Sequence, residues 1–325
     1  MLAIRFDRFG GPEVLTPVDV PAPVPGPGET VITVEAAGVN LADTFQTDGS
    51  YLDASQLPHI PGGEVVGRTE DGRRVLAKVT HGYAEQVLCT ESALIPIPDD
   101  ITAPQALALL TQGLTAWHLL RSAARLQPGE SVVVHSAAGG VGSLAVQLAK
   151  EFGAGLVLAQ ASNPDKERLA LDLGADGTAR YPLPQRADII LDAAGGTLFQ
   201  QALESLADFG RLVTYGNASR IPHPPLDPAR LSRLNASVVG FWLRPTLARP
   251  EALSGPLKQL LDLTRQGRLR PVTGTEYALA DARQAHIDLR ERRTTGKIVL
   301  RPPEGRGSRS MPRGSNLVAH TAGDA

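Results

Sequence analysis

A chain of 325 residues with 32 Lys and Arg against 34 Asp and Glu carries a formal charge of −2, which gives no electrostatic case for nucleic acid or an anionic membrane surface. At about 150 residues per domain, this length predicts two domains with sizeable cores. Cys89 is the only cysteine, which excludes an intrachain disulfide and a multi-cysteine zinc site and points to a reducing, cytoplasmic setting.

Near the N-terminus, Arg5, Asp7 and Arg8 interrupt the apolar residues, so no signal-peptide core is predicted there. Pro17, Pro21, Pro23, Pro25 and Pro27 mark an extended connection, after which Thr30–Ala36 alternates like a strand. Val75–Ala77 and Tyr83–Cys89 read as further short strands. From Pro104 the pattern turns helical, with Leu107, Leu110, Leu114 and Leu119 three to five residues apart.

The stretch Ser131–Ala149 is the most informative. It holds no Asp, Glu, Lys or Arg, yet its paired glycines, serines, histidine and glutamine argue against a membrane span. A buried strand (Val132–His135) runs into the turn Ala137-Ala138-Gly139-Gly140-Val141-Gly142, then into a helix whose Leu144 and Leu148 share a face. This approximates G-x-G-x-x-G, with Ala137 at the first glycine position and Gly139 and Gly142 at the other two. A strand, glycine turn and helix in that order place a pyrophosphate on the free N–H groups of the helix N-terminus.

Strands and helices then alternate: strand Leu156–Gln160, helix Asp165–Leu173 stopped by Gly174, strand Ala187–Leu191, helix Leu198–Leu206 and strand Arg211–Tyr215 ending at Gly216. Repeated units of this kind predict a parallel sheet covered by helices on both faces. Val238–Leu243 reads as one more strand near the sheet edge, followed by helices Leu257–Arg265 and Ala282–Leu289 and a closing strand Lys297–Leu300. Residues 304–325, rich in Gly, Ser and Arg, read as a disordered tail with solvated charges.

Dinucleotide folds that prefer NAD carry an acid at the end of the second strand, about 20 residues past the glycines, whereas a cationic environment accepts the 2′-phosphate of NADP. Here that place reads Leu158-Ala159-Gln160-Ala161-Ser162-Asn163-Pro164-Asp165-Lys166, with no acid at the strand end and Asp165 expected to face solvent. Ser162 and Lys166 suit a 2′-phosphate, so NADPH is expected as cofactor. The plainer reading has Ser162 or Asn163 capping the helix and Lys166 as surface charge, and both readings are compatible.

Taken together, these blocks resemble the zinc-free, zeta-crystallin-like quinone oxidoreductase branch of the medium-chain dehydrogenase/reductase superfamily. The blocks are Phe9–Leu15 (F-G-G-P-E-V-L), Ala36–Asp43 (A-A-G-V-N-x-x-D), Pro61–Gly67 (P-G-x-E-x-x-G), Gly82–Glu85 (G-x-A-E), Leu114–Ala116 (L-T-A), the turn Ala137–Gly142 and Thr295–Leu300 (T-G-K-I-V-L). Zinc-dependent relatives carry a cysteine where this chain has Asn40 and a histidine where it has Gly63. His59 and His81 lack ligand spacing, Cys89 stands alone, and no metal is expected. Alcohol dehydrogenation needs a Lewis acid; without one, what remains is hydride delivery to an acceptor already electrophilic.

The resemblance implies an α/β architecture. A β-rich, GroES-like catalytic domain spans residues 1–110 and 265–303, and a Rossmann, doubly wound parallel-sheet domain spans residues 111–264. The active site is expected in the cleft between them. It also implies that Asn40 and Thr115 lie on the nicotinamide side, that Ala138, Gly139, Gly140, Val141 and Gly142 hold the phosphates, that Tyr181 stacks near the adenine, and that Gly216, Asn217, Phe241, Trp242 and Leu243 line the cofactor's outer half. For Asn40 the alternative is a turn-stabilising side chain, and for Phe241 and Trp242 it is a core or dimer contact.

Relatives read D-T-Y-x-R-x-G-x-Y where this chain has Phe45 and Thr47 in place of the first tyrosine and the arginine. Tyr51 is retained and matches the tyrosine proposed as proton donor in related enoyl thioester reductases; an aromatic pocket wall is the alternative. Three functions follow: an NADPH-dependent quinone reductase, a reductase of activated alkenes (enones or enoyl thioesters), and an NADPH-binding sensor or structural protein with little turnover. A homodimer is expected, through pairing of Val238–Leu243 across a two-fold axis.

Overall fold

A computed structural model describes residues 1–53 and 55–303; the segment 304–325, expected as a disordered tail, lies outside the described residues. The chain begins with β1 (Leu2–Arg5) and β2 (Thr16–Asp19), an antiparallel pair. Next comes β3 (Glu29–Val39), whose alternate residues Ile32, Val34 and Ala36 are buried, as the period of two in a strand requires. It is followed by α1 (Leu41–Thr47), β4 (Glu64–Thr69), β5 (Arg74–Lys78), β6 (Gln86–Thr90) and β7 (Leu94–Pro96). The strand expected from Tyr83 thus starts later, at Gln86.

A helical segment leads onward. Thr102 and Gln105 cap α2 (Ala103–Leu107) reciprocally, and the chain then passes through a wide π turn (Ala108–Gly113), α3 (Leu114–His118) and a second wide turn (Leu119–Ala123). The helical pattern expected from Pro104 is present, with two wide turns alternating with the regular α2 and α3. Leu107, Leu110, Leu114 and Leu119 are all buried in one core cluster. That cluster includes residues of both large sheets, Val66, Leu76 and Val299 on one and Val132 on the other, together with Leu144 and Leu148 of the helix after the glycine turn.

The alternating portion contains β8 (Ser131–Val134), α4 (Gly140–Glu151), β9 (Leu156–Ala159), α5 (Pro164–Asp172) and β10 (Gly177–Thr178). It continues through β11 (Ala187–Asp192), α6 (Gly196–Glu204), β12 (Leu206–Thr214), α7 (Pro228–Leu234) and β13 (Ser237–Gly240). All pair in parallel in the order β10-β9-β8-β11-β12-β13. The order reverses between β8 and β11, which opens a crevice beyond their carboxyl ends, the place where doubly wound sheets bind ligands. β12 starts earlier than expected, at Leu206, because Leu206 already pairs with Ala187 before a bulge resets the register. β13 ends sooner, at Gly240, and sends Phe241 and Trp242 out of the sheet.

The chain finishes with α8 (Leu243–Thr246), α9 (Pro250–Arg265), β14 (Thr273–Ala278), α10 (Ala282–Arg290) and β15 (Lys297–Arg301). The last two strands return to the first sheet, which has seven strands ordered β14-β15-β3-β4-β5-β7, with β6 also on β3. Among the described residues no helix is long and apolar enough to cross a membrane.

Glu64 on β4 and Lys297 on β15 form an ion pair with no exposure on either side chain. Lys297 Nζ also donates to the Val39 carbonyl (3.3 Å) and to Asn40 Oδ1 (3.0 Å). Glu64 accepts from Asn40 Nδ2 (2.9 Å) and from the backbone N–H and hydroxyl of Thr111 (3.1 and 2.6 Å). Beside it, buried Asp43 accepts from the Asn40 N–H and the Tyr83 hydroxyl, both at 2.8 Å. Burial pushes the Asp43 carboxyl up from 3.8 to about 6, against the pull of those two donors.

Two outcomes are expected. Lys297→Met strands a buried carboxylate and lowers stability by about 3–5 kcal/mol in urea unfolding, and adding Glu64→Gln recovers much of the loss. For Asp43, the unfolded chain releases its proton near 3.8 and the folded chain near 6. Stability therefore declines as pH rises across that window and is level above it. Asp43→Asn removes this part of the decline, read as the difference between wild-type and variant urea midpoints along a pH series.

Candidate active site

One continuous cleft runs between the carboxyl ends of the parallel sheet and the face of the other sheet that carries α1. Its volume of about 2630 Å³ exceeds the roughly 300–1,000 Å³ of a pocket for one small ligand, which leaves room for a dinucleotide and an acceptor together.

The floor of the cleft is the β8–α4 turn. Gly139 is the N-cap of α4, extended and without a side chain to cap the first N–H groups, so these and the helix dipole face the cleft. A Cβ on Gly142 would sit 2.2 Å from the Ser136 carbonyl, so only glycine lets the helix close on the turn. A Cβ on Gly140 would meet the Gln112 carboxamide at 2.2 Å. Gln112, which local sequence did not single out, is brought there by the wide turn before α3, and its Oε1 is buried without a partner among the described residues. Ala138 and Val141 line the same floor.

At one end, Ser162 and Lys166 both line the cleft. Asn163 accepts the Lys166 N–H (2.9 Å) and caps α5, while Asp165 pairs with Arg168 and is 90% exposed, as expected. Lys166 Nζ donates to the Arg292 carbonyl at 2.6 Å. Burial and the Arg292 charge pull the Lys166 ammonium below its ordinary value, and an anion placed there would counter that shift by favouring the charged form. Arg292 also lines the cleft. It lies 126 residues further along the chain, so no local signal marks it.

At the other end, the Asn40 side chain takes part in a capping box with Asp43 at the start of α1 and is tied to two further residues. Its carbonyl is taken by Lys297 and one amide hydrogen by Glu64, which fixes the amide and leaves its second N–H for a ligand. Thr115 lines the cleft and donates to the Thr111 carbonyl (2.7 Å), and Thr111 reaches Glu64 in turn. Asn217 braces its own loop through Ile221 O (2.9 Å) and Ser219 Oγ (3.0 Å), beside Gly216. Phe241, Trp242 and Leu243 line the wall, and the Trp242 indole donates to the Tyr51 hydroxyl at 3.1 Å.

Tyr181 is not among the cleft-lining residues. Its hydroxyl meets His135 Nε2 at 2.6 Å, because that fully buried imidazole, already bonded to Asp192 through Nδ1 (2.9 Å), needs a second partner. Thr47 is likewise turned inward, onto the Asp43 carbonyl. A cation from another element meets the same helix. Arg220 stacks 4.1 Å over Phe45, donates to Thr44 Oγ1 (2.7 Å) and pairs with Asp48.

Where zinc-dependent relatives carry ligands, Asn40 and Gly63 line the cleft. His59 and His81 meet edge-on, and burial lowers the pKa of each. Among the described residues no group of three or more His, Cys, Asp or Glu is arranged to hold a metal ion.

Comparison with known proteins agrees with this geometry. Residues 26–99 match the model of the alcohol dehydrogenase GroES-like domain, and residues 167–300 that of the zinc-binding dehydrogenases. The quinone oxidoreductase of Pseudomonas aeruginosa is 34% identical over 92% of this chain and 99% of its own, and that of Mus musculus is 31% identical over 92% and 97%. The quinone oxidoreductase of Thermus thermophilus, solved alone and with NADPH, is 41% identical with a TM-score of 0.84, covering 93% of this chain and all (100%) of that one. The Escherichia coli quinone oxidoreductase complexed with NADPH superposes with a TM-score of 0.86 at 27% identity, covering 93% and 100%. With its α/β fold, glycine cradle and closing T-G-K-I-V-L strand, the chain belongs to the zinc-free quinone oxidoreductase branch of the medium-chain dehydrogenase/reductase superfamily and is an enzyme of quinone oxidoreductase type.

Proposed function

We propose that this enzyme is an NADPH-dependent, metal-independent reductase of quinones. The observation that carries the reading is the pairing of an uncapped α4 N-terminus with the Lys166–Arg292 cation pair at the end of β9, where no carboxylate stands. That arrangement suits a pyrophosphate and a 2′-phosphate and would repel neither. The Thermus and Escherichia relatives complexed with NADPH support it.

When bound, NADPH supplies a hydride from its nicotinamide C4. The protein's share is orientation and exclusion of water. Ala138–Gly142 hold the diphosphate, Ser162, Lys166 and Arg292 the 2′-phosphate, and Asn40 and Thr115 the nicotinamide end. Gly216, Asn217, Phe241, Trp242 and Leu243 form the outer wall. Tyr51 donates a proton to the acceptor oxygen. A second reading, reduction of enones or enoyl thioesters, is favoured by one observation: the Tyr51 oxygen accepts from Trp242 and so keeps its own O–H to donate. A reducing cytoplasmic setting suits the single, buried, unpaired Cys89. We propose a homodimer through β13, the edge strand of the parallel sheet.

Purified enzyme with an ortho-quinone is expected to consume NADPH rapidly and NADH slowly, indifferent to chelator. Lys166→Ala raises KM for NADPH roughly tenfold or more, the value of a charge-assisted hydrogen bond, and leaves KM for NADH unchanged. Equal effects on both dinucleotides would remove the 2′-phosphate assignment, and consumption of an enone but not the quinone would move the second reading to the front. Light scattering at micromolar concentration is expected to give twice the 34.3 kDa chain mass; a monomer there removes the dimer.

A further inference from the structure

Beyond the ion pairs of the rim, the cleft is bridged by a hydrogen bond between two aromatic side chains. The Trp242 indole N–H donates to the Tyr51 hydroxyl at 3.1 Å, and the rings meet edge-on with centroids 6.1 Å apart and planes at 81°. Tyr51 follows α1 on one sheet, and Trp242 follows β13 on the other. An indole N–H only donates, whereas a phenol both donates and accepts. The contact therefore occupies an acceptor site of Tyr51, and among the described residues nothing takes the phenol's own proton. The charges around the pair are matched across the cleft: Arg220 with Asp48, and Arg244 with Asp53. The Arg244 guanidinium also lies 5.8 Å from the Trp242 ring centre.

We propose that Trp242 is a positioning residue for Tyr51: it orients the phenol with its proton toward the acceptor and stabilises the phenolate that proton transfer leaves. The proposal rests on the reading of Tyr51 as proton donor. As the acceptor gains a hydride, and with it two electrons, negative charge collects on its oxygen. The Tyr51 O–H bond breaks as the new O–H bond forms, the indole N–H holds the phenolate, and solvent returns the proton. A hydrogen bond to a charged group is stronger than one to its neutral form, so the Trp242 contact strengthens during the step.

The test uses Trp242→Phe, which keeps an aromatic ring and removes the N–H, together with Tyr51→Phe and the double variant. Turnover is followed against pH with saturating NADPH and with an ortho-quinone or an enone. In addition, tyrosinate absorbance is titrated on the protein without cofactor. Burial raises the other four tyrosines (Tyr83, Tyr181, Tyr215 and Tyr277), so they ionise late, and the step absent from Tyr51→Phe belongs to Tyr51.

Trp242→Phe is expected to lower kcat about tenfold with little change in acceptor KM, and to move the basic limb up by about one pH unit. The Tyr51 absorbance step should move by the same amount. In the Tyr51→Phe background the same change should have no further effect. If Tyr51→Phe is slow but Trp242→Phe costs as much again on top of it, or leaves the limb and the absorbance step in place, the positioning role is overturned. If Tyr51→Phe turns over normally, the donor reading itself falls and takes the proposal with it.

Discussion

The buried pair of Glu64 and Lys297 is the contact on which the site depends. Taking both charges out of water is expensive, and such a pair seldom stabilises a protein more than apolar residues of the same size would. What it secures is geometry. Glu64 and Lys297 together spend their hydrogen bonds on Asn40, Thr111 and the end of β3, so one pair fixes a cleft amide, a helical turn and the meeting of three strands. Gly38 makes room for it, since a Cβ there would fall 2.5 Å from the Glu64 carboxylate and 2.8 Å from Lys297.

The opposite wall is fixed by a second buried carboxylate. Asp192 at the end of β11 bonds His135 and accepts the N–H groups of Ala194 and Gly195 (3.1 and 3.2 Å). This braces the turn after β11, directly across the crevice from the α4 N-terminus. The loop that faces the α4 N-terminus is therefore held by the protein's own hydrogen bonds, which is what an orienting site requires.

The fold was largely legible in the sequence because its decisive pieces are local. A glycine turn between a strand and a helix, and strands regularly separated by helices, are written in neighbouring residues. The place of Ser162 and Lys166 on the cleft was legible for the same reason, since they follow the second strand directly. Arg292 and Arg220 were not, because each reaches its place from a distant element and an isolated arginine carries no pattern. Tyr181 went the other way: a buried histidine claimed its hydroxyl, a demand that only the packed sheet reveals. The wide turns around α3 left no comparable mark, since local spacing does not say which carbonyls an unusual turn will bond.

Arg220, Trp242 and Arg244 all hold one short stretch of the opposite lobe, residues 44–53. Arg244 and Asp53 are 58% and 50% exposed, and an exposed pair of that kind contributes about 0–1 kcal/mol. The outer edge of the rim is thus held by a weak tie, while the more buried Arg220 holds Thr44, Phe45 and Asp48 further in. A catalyst that must discharge a spent dinucleotide on every cycle is served by an edge of that kind, which parts at little cost.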